Sequence, residues 1–443
     1  MVFIKYLLNK IFINYDSSLW EMSIHRYSGS SFNFFNSISL NTFFTFFLYP
    51  VFGIYMIIKS INNYSKNNQK IKLIFNVVSL SLSVKVFSKL LKKLPKEKYS
   101  LMGRECNKPF IKTEYHIRDS IKVFFFLFIT WIPVTFISII KKKNYFNPII
   151  RTFNVYFKTL NYFRKNPCDI YLTFQFNECS AAFYMGFKDA GGNHMMAITN
   201  GLRYNTQGID QSCIDHFFIF GDYFVDFYKK VGGKYGEFEV IGSPILDNNH
   251  ENIKPKDKSV DILFVDQGFP GKGTDQLFYP NSKSDIVKYI DNIRKFSLNN
   301  PYLKLVYQIR PPSSVFHTLS SKFDDWFRNC NIKVNRNEYP LMSYDQIARS
   351  KLIITVDSTI GIEAISLGVR TVFIKHNNNK NLFLFEDLSI IHDCINYKDF
   401  ELCVNRALMC TESRIKFSKD HIIPQFQDIK ANEIIYKRLM KFL

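Results

Sequence analysis

The chain has 443 residues, long for one domain and comfortable for two, and its hydrophobic share of 47% leaves enough apolar material for buried cores. Its formal net charge is +20, and residues 1–150 hold 21 Lys and Arg against 6 Asp and Glu, so most of the surplus lies in the first third. Such a region seeks an anionic surface. Nucleic acid is set aside because no aromatic RNP run or zinc finger is present, which leaves acidic lipid as the expected partner.

In chain order, Met1 to Tyr15 has Lys5 and Lys10 within apolar residues and no small-residue cleavage site, so it does not read as a signal peptide. Two apolar runs follow, 43–58 and 123–140, each containing a proline, Pro50 and Pro133. Their lengths sit at or just below the roughly 17–25 residues of a spanning helix. The intervening segment, 59–122, carries 15 Lys and Arg against 4 Asp and Glu, and the positive-inside rule disfavours exporting it. The expected arrangement is peripheral or monotopic attachment to the cytoplasmic face of the inner membrane, with Lys residues on acidic headgroups. Buried core segments and a two-span hairpin stand as alternatives.

After residue 150 strands and helices alternate. Strands are expected at 169–174, 195–199, 215–220 and 238–241, with helices at 179–190 and 222–231. Residues 151–247 therefore read as the remainder of a first Rossmann-like domain whose beginning lies within 1–150. The polar, aperiodic segment 248–259 reads as a linker. The alternation restarts in a second domain, 260–430, with strands at 260–265, 303–309, 332–334, 352–356 and 371–374, and helices at 284–299 and 344–350. Residues 431–443 form a C-terminal amphipathic helix. The fold class is α/β, with two Rossmann-like domains facing a cleft. The eight cysteines are scattered without a CxxC pair, as reduced, mostly buried thiols would be.

Chemistry gathers at strand ends, where an open parallel sheet binds ligands. Asp266-Gln267-Gly268 follow one strand, Arg310-Pro311 another, and Asp357-Ser358-Thr359 a third. Between Leu352 and Ile374 the pattern is strand, polar turn, short helix stopped by Gly368, and strand. This βαβ unit presents hydroxyls and free N–H groups at a helix N-terminus, a ready phosphate site. Asp266 is a candidate base and Arg310 a phosphate partner. Gln308, Ser358, Thr359 and Glu363 are donor-side candidates, and Gly268 would let backbone approach a ligand. Asn200, Gly201 and Arg203 follow a strand of the first domain and are acceptor-side candidates. Each residue also has a plainer reading: Asp266 as a cap, Arg310 in a surface ion pair, Asn200-Gly201 as a tight turn, Glu363 facing solvent. Gly271-Lys272-Gly273-Thr274 lacks the P-loop spacing.

The order of these motifs resembles GT-B glycosyltransferases of bacterial surface polysaccharide biosynthesis, capsule or O-antigen. The sialyltransferase-like and Kdo-transferase-like families are the nearest in pattern. In those families an acidic-acidic-Gly motif supplies the base, and a His-Pro and a Ser-Ser/Thr motif hold the CMP moiety. Here Gln267 replaces an acid and Arg310 replaces the His, which takes a general acid away from that position. The resemblance covers roughly residues 168–375. It implies a nucleotide-activated sugar donor, a CMP-linked ulosonic acid among the candidates, and a lipid-linked glycan acceptor. It also implies no cofactor and no bound metal, the nucleotide-sugar being a substrate. A CDP-glycerol or polyol phosphotransferase of teichoic-acid type and a non-catalytic membrane-associated GT-B scaffold are the competing readings. A nucleotide-sugar epimerase of similar fold fits the basic N-terminal third less well.

Overall fold

The computed structural model describes residues 51–55, 58, 71–76, 86–102, 117–140, 146–174, 179–199, 201, 212–249, 257–266, 283–309, 325–336, 342–356, 358–375, 391–394, 396–409 and 431–443. They form two six-stranded, wholly parallel sheets.

The first sheet contains β1 (Ile71–Asn76), β2 (Tyr99–Met102), β3 (Cys168–Thr173), β4 (His194–Ile198), β5 (Cys213–Ile219) and β6 (Lys234–Val240), in the order β2-β1-β3-β4-β5-β6. β1 and β2 come from the basic N-terminal third, so that region supplies sheet as well as charge. Leu73, Ile74 and Phe75 of β1 are fully buried, as a central parallel strand covered on both faces requires. Helices α1 (Ser88–Lys93), α2 (Ile117–Ile140), α3 (Phe146–Lys165), α4 (Ala181–Asp189) and α5 (Asp222–Val231) flank it. Ser180 caps α4 by accepting from the Phe183 N–H at 3.2 Å.

The second sheet contains β7 (Val260–Val265), β8 (Leu305–Gln308), β9 (Ile332–Asn335), β10 (Ser350–Thr355), β11 (Arg370–Lys375) and β12 (Ile391–Asp393), in the order β12-β11-β10-β7-β8-β9. Counted within the domain this is 3-2-1-4-5-6 read from β9, the doubly wound order, and its direction of winding reverses between β7 and β10. Helices α7 (Lys283–Asn299), α8 (Met342–Arg349), α9 (Thr359–Ser366) and α10 (Tyr397–Met409) cover it, after α6 (Pro244–Asn249) at the domain junction. The expected linker 248–259 lies partly outside the described residues, and 257–259 run directly into β7.

The two apolar runs have different fates. Residues 43–50 lie outside the described residues, and 51–55 are helical. The second run belongs to α2, a 24-residue helix with Pro133 inside it. One side of α2 is core: Val123, Phe126, Leu127 and Val134 cluster with Phe146, Phe153 and Phe157 of α3. The other side is exposed. Among the described residues no helix is long and apolar enough to cross a membrane.

Helix α11 (Ala431–Met440) returns to the first domain. Ala431, Ile435 and Leu439 join the cluster of Leu73, Phe75, Ile170 and Leu172. Arg438 reaches Glu237 and Glu239 on β6, each at 2.7 Å, and the Ala431 N–H donates to Asp247 of α6. The sequence pattern indicates this helix but not its destination, since an amphipathic stripe does not name its partner. Leu439 is fully buried. Leu439→Ala is therefore expected to lower the unfolding free energy by about 2–4 kcal/mol. Urea denaturation checks this, and a loss below about 1 kcal/mol would mean that the helix is not core.

Candidate active site

The site is built at the winding reversal of the second sheet. β7 lies between β8 and β10, with Val265 opposite both Gln308 and Thr355. The three strands that precede the 266, 310 and 358 motifs therefore end side by side. Adjacent strands are about 4.8 Å apart, so this end of the sheet gathers the motifs over roughly two strand spacings.

Asp266 follows β7 directly. It is 5% exposed, and its carboxylate accepts a hydrogen bond from the Tyr307 hydroxyl at 3.1 Å. Its N–H donates to the Gln308 carbonyl at 2.9 Å, which extends the ladder by one residue. Tyr289 of α7, fully buried beside it, donates to the Ile354 carbonyl at 3.1 Å. Burial first, and then the Asp266 charge, pushes both phenols well above their usual range, so they act as permanent donors.

The turn after β10 is formed by Ser358 and α9. Ser358 is the N-cap, accepting from the Ile360 N–H at 3.3 Å, while its own N–H donates to Thr355 Oγ1 at 3.3 Å. The backbone is drawn close to the sheet at Gly361. A Cβ there would lie 2.7 Å from Phe373 Cζ and 2.8 Å from Thr355 Cγ2, so a larger residue would lift α9 away from β10 and β11. Thr359 opens the helix at its positive end.

Two donor-side candidates are already bonded within the protein. Glu363 is 2% exposed, with one oxygen accepting from Ser243 Oγ at 2.6 Å and the other from the Tyr344 hydroxyl at 2.7 Å. Its carboxylate ties α9 to α8 and to the junction before α6. Desolvation raises its pKa to about 7, against the lowering effect of the two hydrogen bonds. Gln308 is likewise committed. Its Nε2 donates to the carbonyls of Ile309 and Asn335, and its Oε1 accepts from Asn335 Nδ2 at 2.9 Å. A strand-end amide suits a ligand on paper, but the parallel partner β9 offers it a complementary amide first.

Arg310, Gly268, Asn200 and Arg203 lie outside the described residues. Gly201 is buried just beyond β4, its carbonyl accepting from Thr199 Oγ1 at 3.5 Å. Ser243 and Tyr344 are site-supporting residues that the motif reading did not find. Ser243 had a legible signal. Ser-Pro after a strand is an N-cap followed by a proline at the first helical position, and the Leu246 N–H does donate to Ser243 Oγ at 3.3 Å. Among the described residues no cluster of three or more His, Cys, Asp and Glu is placed to hold a metal ion.

Two parallel-sheet domains, with a doubly wound second domain and its strand-end site, define the GT-B fold. Residues 196–387 match the model of a family described as "putative O-antigen biosynthesis protein", a span that covers both the first-domain turn and the βαβ unit. A UDP-GlcNAc 2-epimerase from Methanocaldococcus jannaschii, solved with UDP-GlcNAc and UDP, is similar over 84% of this chain and 100% of its own, with a TM-score of 0.52 at 13% identity. Acinetobacter baumannii MurG (84% and 100% covered, 10% identity, TM-score 0.49) and the wall teichoic acid polymerase TagF (92% and 98%, 10%, 0.47) are also similar. At these identities the likeness is one of fold. No curated protein matches the chain. The resemblance to GT-B proteins of surface-polysaccharide biosynthesis thus holds at the level of architecture and of this family match.

The buried Glu363 makes stability depend on pH. Its folded pKa, about 7, lies above the ordinary 4.5, so the folded chain binds the proton more tightly than the unfolded chain. The resulting stability is present at low pH and is lost as pH rises from about 4.5 to about 7, by roughly 3 kcal/mol in all. Glu363→Gln removes this titration. The difference in melting temperature between wild type and Glu363→Gln should therefore shift against the wild type between about pH 5 and pH 8. Parallel melting curves would contradict the buried carboxylate.

Proposed function

We propose that the chain is a glycosyltransferase that moves a sugar from a nucleotide-activated donor to a lipid-linked glycan during surface-polysaccharide assembly. The observation that carries this reading is the pairing of β7 with β10, which sets Asp266 beside the N-terminus of α9 at the winding reversal. Glycosyl transfer needs a base for the acceptor hydroxyl and neutralisation of the leaving phosphate. In this reading Asp266 takes the proton from the acceptor. The N–H groups at the start of α9, with Ser358 and Thr359, hold the phosphate, and Arg310 pairs with it through its fork of donors. Gly268 gives the donor backbone room, and Asn200, Gly201 and Arg203 face the acceptor. A CMP-linked ulosonic acid is the donor that the motif order favours. The acceptor is met at the cytoplasmic face of the inner membrane, and the group transfer requires no metal. The O-antigen description of the family matched over residues 196–387 supports the pathway class.

Thermal-shift measurement against CMP, CDP, UDP, GDP, their sugars and CDP-glycerol tests the donor. At a hundredfold excess over its Kd the true ligand adds about 2.7 kcal/mol of stability. A response to CDP-glycerol alone would replace the sugar donor with a polyol phosphate, and no response to any nucleotide would overturn the reading. With the donor identified, Asp266→Asn is expected to cut transfer by about 10²–10⁴-fold while nucleotide binding persists. Arg310→Ala is expected to weaken nucleotide binding instead. Equal loss of binding in both variants would make Asp266 a structural or donor-contacting residue, and full activity in Asp266→Asn would move the base elsewhere.

A further inference from the structure

Helix α2 presents the largest anomaly on the described surface. Ile121, Phe125, Phe128, Ile129, Ile132 and Phe136 are all exposed, Ile132 at 69% and Phe136 at 65%. Their spacing of three and four residues places them on one side of the helix. A helix of 24 residues is about 36 Å long, so the stripe is a strip rather than a spot. Beside it the helical stretch 51–55 adds exposed Val51 and Ile54. Gly53 lets that stretch sit directly on α2, since a Cβ there would lie 2.8 Å from the Phe124 Cα. Contiguous apolar area of this kind on a protein surface marks an interaction site.

Three observations select the partner. First, the exposed strip is nearly pure hydrocarbon. Between Ile121 and Phe136 the polar side chains are Lys122, Thr130 and Thr135. Thr130 is buried on the core side, and the half-buried Thr135 returns its hydroxyl to the Trp131 carbonyl at 2.7 Å. Such internal satisfaction is what a solvent without hydrogen-bonding groups demands. A protein partner would meet few groups to bond, whereas protein interfaces carry a polar rim and regular hydrogen bonds. Second, cations bracket the strip in the sequence: Arg118 and Lys122 at its start and Lys141-Lys142-Lys143 immediately after it. That is the charge pattern for an acyl-chain boundary beneath anionic headgroups. Third, the opposite side of α2 is cemented to α3 through Val123, Phe126, Leu127 and Val134. A helix bound to its own domain along its length cannot stand upright in a bilayer without stripping that core.

We propose that α2 lies in the plane of an anionic bilayer, immersing the side of Phe125, Phe128, Ile132 and Phe136 while its other side stays packed on the first domain. The inference gives the membrane part of the function proposed above a defined surface and orientation, and its test needs no donor, acceptor or turnover. The full chain is floated with phosphatidylcholine vesicles and with vesicles that also contain phosphatidylglycerol. The wild type is expected to float, more strongly with the anionic lipid. The triple variant Phe128→Ser, Ile132→Ser, Phe136→Ser is expected to lose on the order of a hundredfold in partitioning, because three exposed apolar side chains leave the acyl boundary. Arg118→Gln with Lys122→Gln is expected to reduce the anionic preference alone. If the triple variant folds poorly, the conservative Phe128→Trp gives a second readout, a blue shift of the added tryptophan emission on mixing with anionic vesicles. Wild-type protein that stays unbound, or a triple variant that floats as well as wild type, overturns the proposal. So does a lipid-free dimer that the triple variant converts to monomer, which would assign the strip to a second copy. A failed nucleotide screen with intact vesicle binding would overturn the transferase reading and leave this one standing.

Discussion

The backbone ladder between β7 and β10 is the constraint on which the rest of the second domain depends. β7 enters first in sequence and ends in the middle of the sheet, with β8 and β9 added on one side and β10 to β12 on the other. Right-handed crossovers then send the two sets of helices to opposite faces. The helices that follow β7 and β10 diverge, and the crevice between them forms without any residue being selected to make it. The particular residues only furnish it. Asp266 takes the end of the central strand, Ser358 caps the helix that leaves its neighbour, and Gly361 keeps that helix tight to the sheet. Tyr307 holds the Asp266 carboxylate through its hydroxyl, and the Asp266 N–H joins the ladder at Gln308.

Behind the site the two domains are joined by chemistry that a purely apolar junction would lack. Ile362 and Ile365 of α9 enter the apolar cluster of the first domain with Phe220 and Phe224, while Leu246 of α6 enters that of the second. Glu363 lies on the same helix and meets Ser243 and Tyr344. One short helix therefore carries the N-terminus proposed for phosphate, the apolar contact between domains and the buried carboxylate.

Much of this was legible in the sequence, and the failures have physical reasons. β7 and α5 fall where the apolar periodicity puts them, the other expected strands after residue 150 are displaced by a few residues at most, and the three-residue β12 was not expected. The doubly wound character followed from their alternation. β1 and β2 were hidden because each is short and embedded in basic sequence, so charge outweighed a four- to six-residue apolar signal. α2 was ambiguous between lipid and core because it is apolar on nearly every side, and only the packing of α3 shows which half is covered. The positions of Asp266 and Ser358 could be read from sequence because each directly follows a strand of the second sheet. The partners of Glu363 and Gln308 could not, because they are residues far away in sequence, Ser243 and Asn335 among them.

Helix α11 also has a consequence for the order of events during synthesis. Asn432 donates to the Val86 carbonyl across 346 positions of chain, and Ile435 and Leu439 complete the layer over β1. A ribosome delivers β1 early and these residues at the end of a long wait. Until residue 439 is clear of the exit tunnel, that face of the first sheet has only the part of its cover supplied by Phe87, Leu90 and Leu91 around α1, while the second domain between them can already condense. Closing so long a loop adds little further entropy once the second domain has shortened the path. A product truncated before α11 would keep part of that sheet face open to chaperones and proteases.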